Sequence, residues 1–290
     1  MKRITILALC LFLAAGTLVA SAQEASQPPH KVLVVAREYL KPGRGGLAHD
    51  KAESAFVQAF ARANWPTHYI GLTSLTGRSR ALFFLGYDSF EAWEKDNMAI
   101  QKNATLSAAL DHAGFVDGEL LESMENAVFM YREDYSLRPN ADLTHRRYIE
   151  TSLFHVRPGH RKEWDDGMKM VLAAYGKGVP SAHWACYEIM YGLQDSTFLF
   201  LIGRVSTAEV DKSMIDNKDF ATALGEEGMK KLEALTAEAV ESSETNLFAI
   251  NPRLSYVSDD VIKGDPDFWS VKPPAAPAHK KAAAKAPAAQ

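Results

Sequence analysis

The sequence predicts an α+β fold made of two copies of one β-α-β-β-α-β unit, joined in tandem. Three observations carry this prediction. A Pro-Gly turn is written twice, in YLKPGRGG (39–46) and HVRPGHRK (155–162), each time between a run rich in β-branched and aromatic residues and an amphipathic run. Further landmarks then repeat: Pro42 falls on Pro158, Pro66 on Pro180, Gly86 on Gly203, Ala109-Leu110 on Ala223-Leu224 and Phe129 on Phe248, at offsets of 116, 114, 117, 114 and 119. Finally, LESMENAVFMYREDYS (121–136) lies over VESSETNLFAINPRLS (240–255), with Glu122, Ser123, Glu125, Phe129 and Ser136 recurring at one offset. Spacing this steady, with small insertions, is the mark of a duplication.

The elements follow in order. KVLVVAREYL (31–40) and RRYIETSLFHV (146–156) read as the first strand of each copy, closed by Pro-Gly. After the first turn Ala48, Ala52, Ala55, Phe56, Ala59, Phe60 and Ala63 fall on one side at helical spacing; after the second, Trp164, Met168, Val171, Leu172 and Tyr175 do so. Two extended stretches come next in each copy, THYIGLTSL with RALFFLGY and AHWACYEIMYG with TFLFLIGR, spaced as hairpins. Asp88 with Glu91, and Ser206 with Glu209, have the spacing of a capping box and open the next helical region. A last strand closes each copy, which gives the ferredoxin-like split βαβ order.

These strands are apolar on both alternating sets: Val32 and Val34 oppose Leu33 and Val35, and Leu82 and Phe84 oppose Phe83 and Leu85. Helices can cover only one face of each sheet. The antiparallel sheets of the two ferredoxin-like repeats are therefore expected to pack face to face as a barrel-like pseudo-dimer within one monomer, with a higher oligomer left open. The strand, x-Pro-Gly turn, long helix, hairpin and the helix carrying NKDFATAL (217–224) together resemble the dimeric α+β barrel superfamily over residues ~31–258, and within it NIPSNAP-type and antibiotic-biosynthesis-monooxygenase-type domains. The resemblance implies the fold. It leaves the reaction open, since that superfamily includes cofactor-free oxygenases, haem-binding enzymes and proteins with no assigned activity.

Residues 1–22 read as a signal peptide: Lys2 and Arg3 precede a short apolar run, and Ala20-Ser21-Ala22 forms a small-x-small cleavage site. The expected destination is the periplasm or the exterior. Removing that segment takes the formal charge from −4 to −6, which argues against a nucleic-acid partner, and no later segment is long and apolar enough to span a membrane. One cysteine, Cys186, then remains, so no intramolecular disulfide is available. The division expected is a linker at 23–30, the first repeat at 31–139, a linker at 140–145, the second repeat at 146–258, an extension at 259–272 and a disordered Pro/Ala/Lys tail at 273–290.

Phosphate-loop, dinucleotide, nucleophile-elbow, zinc-helix and haem-attachment signatures are all absent. Candidate chemistry is confined to polar residues in or beside strands. His68-Tyr69 lies over His183-Trp184 at an offset of 115, each pair placing an imidazole beside a large aromatic at the start of a hairpin strand. Glu150 and Glu188 are carboxylates inside strands, where a charge must be paired or wet; either is a candidate base, and either could instead pair with an Arg such as Arg147 or Arg204. Trp184 and Glu188 share one face of their strand and His183 and Tyr187 the other. His155 flanks the second turn with His160, but no third ligand has recognisable spacing, so no metal site is assigned. The expected binding residues are His68, Tyr69, His155, His183, Trp184 and Tyr187, and the catalytic candidates are His183, Glu188 and Glu150. Three functions compete: an exported binder of a small apolar or aromatic molecule without a cofactor, a cofactor-free or haem-dependent monooxygenase-type enzyme, and a structural or interaction protein.

Overall fold

A computed structural model describes residues 28–270, so the signal peptide with its cleavage site, most of the first linker and the tail lie outside the described residues. The first half runs β1 (Val32–Leu40), α1 (Leu47–Arg62), β2 (Tyr69–Ser74), β3 (Arg80–Tyr87), α2 (Phe90–Lys102), α3 (Ala104–Gly118) and β4 (Leu121–Tyr131). The second runs β5 (Tyr148–Val156), α4 (Arg161–Gly178), β6 (Ala185–Tyr191), β7 (Thr197–Arg204), α5 (Ala208–Ala239) and β8 (Val240–Ile250), with two short helices, α6 (Asp259–Gly264) and α7 (Pro266–Trp269), after it.

All eight strands form one closed antiparallel barrel in the order β1-β3-β2-β8-β5-β7-β6-β4. The two half-sheets do face each other, as expected, and they also join along both edges. One seam is β2–β8, from Leu72↔Ile250 to Ser74↔Phe248; the other is β4–β6, from Val128↔Tyr191 to Tyr131↔Tyr187. Closure satisfies backbone groups that two separate sheets would leave bare at four edges.

The duplication extends to the irregularities. The β1–β4 ladder shifts register between Tyr39 and Leu40, and the β5–β8 ladder between His155 and Val156, 116 residues on. The Pro-Gly turns also match: Arg44 N donates to Lys41 O at 3.0 Å and His160 N to Arg157 O at 3.1 Å. Gly43 (φ 75°) and Gly159 (φ 86°) occupy the left-handed region at the third position of these turns, where a Cβ is disfavoured. The turn is thus fixed by its own chemistry in both copies.

The barrel interior is a packed core. Phe129 and Phe248, matched in sequence at an offset of 119, are 2% and 0% exposed and meet Leu33, Leu72, Tyr187 and Leu199 there. The extension closes one end: Trp269 is buried in the same cluster and its Nε1 donates to Thr144 O at 2.9 Å, while Asp265 pairs with Arg147. This core leaves space for only a small cavity of about 40 Å³, lined in part by Arg37, Arg80 and Glu244. Larger cavities lie outside the barrel, some between its strands and helices and one of about 820 Å³ between α1 and the segment after β8.

Two local expectations are corrected. On α1 the buried residues are His49, Ala52, Glu53 and Ala59, whereas Ala48 and Ala55 face solvent. A stripe chosen by apolarity had passed over the two polar side chains that are buried. The first residue of the expected capping box is also displaced: Ser89, not Asp88, caps α2 by accepting from Ala92 N, and Glu209 accepts from Val205 N rather than from Ser206. Truncating Phe248 to Ala is expected to cost about 3–5 kcal/mol, because a fully enclosed site cannot collapse onto the void. Chemical denaturation of the wild type and variant checks this.

Candidate functional site

The outward faces of the strands meet the helices, so each half has its own sheet–helix cleft. The helical floors are equivalent: the buried residues of α1 at 49, 52, 53 and 59 correspond, at a constant offset of 115, to those of α4 at 164, 167, 168 and 174. The chemistry of the two clefts has diverged.

In the second half the cleft is apolar and encloses a cavity of about 300 Å³. Phe154 of β5, Trp184 just before β6, Phe200 of β7, Trp164 and Met168 of α4, and Leu232 and Leu235 of α5 supply its wall. Trp164 is stacked on Phe198, with ring centroids 4.9 Å apart, and its buried Nε1 has no acceptor among the described residues. Trp184 donates its own indole N–H to Tyr135 O at 2.7 Å. One donor therefore remains unsatisfied at the wall of an otherwise oily cavity, which is costly unless a bound group accepts from it.

In the first half the equivalent positions carry charge. Glu38, His49, Glu53 and Asp117 stand where the second half has Phe154, Trp164, Met168 and Thr236, at offsets of 116, 115, 115 and 119. All four are 2–6% exposed. His49 Nε2 lies 3.1 Å from Glu38 Oε2, 3.5 Å from Asp117 Oδ1 and 4.0 Å from Glu53 Oε1. Burial, reinforced by the Glu38 and Asp117 carboxylates, pushes Glu53 up to about 10; burial and Glu38 raise Asp117 to about 6 against the pull of His49. Glu53 Oε1 and Asp117 Oδ1 accept no hydrogen bond from an N–H or hydroxyl among the described residues; the two side chains meet each other instead, as carboxyl and carboxylate.

The residues singled out from sequence are dispersed. Tyr69 belongs to the charged cleft: its buried hydroxyl has no hydrogen-bond partner among the described residues, and burial, followed by the charges of Glu53 and Glu38, raises its pKa. Trp184 lines the apolar cavity. His183 is held beside it with its ring nitrogens 3.0 Å from the carbonyls of Ser181 and Gly203. Tyr187 points into the barrel interior against Tyr131. His68 stacks on Tyr256 at the surface, with its pKa lowered by burial despite Asp259, and His155 Nδ1 meets the Thr197 hydroxyl at 2.7 Å. The six expected binding residues therefore do not form one pocket.

Both strand carboxylates are ion-paired. Glu150 accepts from Arg204 Nε and Nη2 at 2.9 and 2.6 Å. Glu188 is clamped between Arg132 and Arg161, both distant in sequence, rather than by Arg147. Such clamps occupy the lone pairs a base would use, so neither geometry favours a catalytic base. Cys186 is buried, and burial raises its thiol pKa. The charged cleft had one legible signal, His49 and Glu53 four apart on α1, but Asp117 is 64 residues beyond Glu53 and has no motif to connect it.

The chain is an α+β barrel in which one polypeptide supplies both halves. No protein-family model and no curated protein matches it. Solved structures do. A candidate monooxygenase of Fusobacterium nucleatum subsp. nucleatum aligns with a TM-score of 0.49 at 10% identity, covering 77% of this chain and 94% of that one. An anthrone oxidase-like protein aligns at 0.48 and 13%, covering 78% and 93%. A chlorite dismutase of Candidatus Nitrospira defluvii in complex with imidazole aligns at 0.44 and 9%, covering 81% and 94%.

Glu188→Ala leaves Arg132 and Arg161 facing each other across the lost carboxylate, each keeping one outer partner, Asp134 and Asp165 respectively. The expected loss is about 1–3 kcal/mol, less than for a fully buried pair because solvent reaches all three groups. Thermal and denaturant unfolding give the measurement.

Proposed function

We propose that this protein binds one small apolar or aromatic molecule carrying a hydrogen-bond acceptor, in the cavity between β5–β7 and helices α4 and α5. The unsatisfied Nε1 of Trp164 carries this reading. It belongs to a residue of a mainly apolar cavity wall, in which Ser152, Glu163, Tyr175 and Thr236 are the polar exceptions, so a ligand acceptor that reaches it would add a directional contact to shape and apolarity. The N-terminal segment adds an exported setting to the proposal, and we extend it to a kinship with NIPSNAP-type domains, a reading supported by the order of strand, Pro-Gly turn and helix.

Haem fits this cavity poorly as a resident group. Among the described residues no histidine lines it, and the ring nitrogens of His183 are directed at backbone carbonyls, so none of them is placed to hold an iron there. The chemistry left to the wall is binding and orientation through Trp164, with water excluded by Phe154, Met168 and Phe200.

Calorimetric titration with fluorenone and fluorene tests the reading, because the two differ by one carbonyl acceptor. Fluorenone is expected to bind one per chain and several-fold more tightly than fluorene, the ratio one hydrogen bond supplies. Trp164→Phe should erase the preference, and Val171→Trp, which fills the cavity, should abolish both interactions. Absence of saturable binding, or binding indifferent to Val171→Trp, would overturn the proposal.

A further inference from the structure

The first cleft holds a set of donor atoms that the small-molecule reading does not use. We propose that Glu38, His49, Glu53 and Asp117 form a binding site for one first-row divalent cation, of the manganese or iron type, between β1 and helices α1 and α3.

The geometry suits an ion. The four side chains each turn one ligand atom inward, and all of these atoms lie within 4.8 Å of one another. His49 Nε2 stands 3.1, 3.5 and 4.0 Å from its three carboxylate neighbours. Ligands about 2.1 Å from a common metal are separated by roughly 3–4 Å, so the cluster needs little rearrangement to share one centre. The ligands come from three elements, and His49 and Glu53 share a helical face through their i, i+4 spacing.

The second, independent observation is the pair of unpartnered oxygens. Glu53 and Asp117 have side chains only 4% and 3% exposed, yet Glu53 Oε1 and Asp117 Oδ1 accept no hydrogen bond from an N–H or hydroxyl among the described residues. The contact the two side chains share is a carboxyl–carboxylate hydrogen bond inside the cluster, which a bound cation would replace while satisfying both oxygens. Among the described residues no Lys or Arg pairs with Glu53 or Asp117, where a purely protein-based solution would place one. A shared dication would offset two of the negative charges that the three carboxyl groups carry when ionised.

The donor set of one nitrogen and three oxygens decides the class of ion. Oxygen-rich sites favour hard cations, and the imidazole draws the preference from magnesium and calcium toward the first transition row. The absence of thiolate argues against a copper(I) site. The equivalent cleft of the second half, with Phe154, Trp164, Met168 and Thr236 at the same positions, offers no such set, so one ion per chain is expected.

The test uses the mature chain, residues 23–290, dialysed against EDTA and titrated with manganese(II) while the electron paramagnetic resonance signal of the free ion is followed. One manganese per chain is expected, with the melting temperature rising as the ion is added. Glu53→Gln and Asp117→Asn, which keep side-chain shape, should each weaken binding tenfold or more. Glu238→Gln, in the half-exposed His160, Glu163 and Glu238 group, should leave it unchanged. Spin-echo modulation from a single imidazole nitrogen in the wild type identifies His49 without relying on any variant. The proposal is overturned by wild-type protein that binds neither manganese(II) nor iron(II), or by equal affinity in both amide variants. Because Val171→Trp alters only the other cleft, it should retain full manganese binding, which separates this result from the small-molecule reading.

Discussion

Each four-stranded half-sheet is apolar on both of its faces, so neither half can present its inner face to water. Closure of the barrel answers that constraint and places everything else. The inward set, with Phe129 and Phe248 at its centre, is buried by the opposite half, and the seams β2–β8 and β4–β6 pair the remaining edges. Because the barrel interior is spent on side chains, larger sites must form on the outer faces beneath the helices. The extension reinforces this by inserting Trp269 at one end of the core.

Duplication then gave the protein two equivalent clefts on one rigid frame. A shared backbone makes their differences chemically readable. Where β5 and α4 place Phe154, Trp164 and Met168, β1 and α1 place Glu38, His49 and Glu53, at offsets that differ by no more than one residue. One cleft excludes water and offers a single indole donor. The other concentrates carboxylates in a place where their charge must be protonated or neutralised, which the elevated pKa of Glu53 expresses. The barrel tolerates both solutions because its stability is carried by the interior and the seams. Neither cleft takes part in closure.

Much of the architecture was legible before any coordinates. The offsets of 116 for the first strands, 117 for the third and 119 for the last reappear as matched ladders and matched bulges. Turn chemistry, with proline followed by glycine at positive φ, is local and therefore readable. The functional residues were less so. Selecting the buried face of α1 by apolarity favoured alanines and passed over His49 and Glu53, since a polar residue is assigned to solvent unless a partner is known. Glu188 was recognised as a carboxylate needing an arginine, and the arginines that clamp it come from the end of β4 and the start of α4.

Sequence by itself determined the repeat, the order of elements, the two turns and the requirement that each sheet find a cover, because all of these follow from local conformational preference and from hydrophobic periodicity. Tertiary structure alone decided which polar groups meet. Glu38 and Asp117 are 79 residues apart and become neighbours only when α3 packs beside α1 over the first strand. Trp164 lost its acceptor only when α5 and β7 enclosed it. Burial and electrostatics depend on distances between remote segments, and no spacing along the chain encodes them.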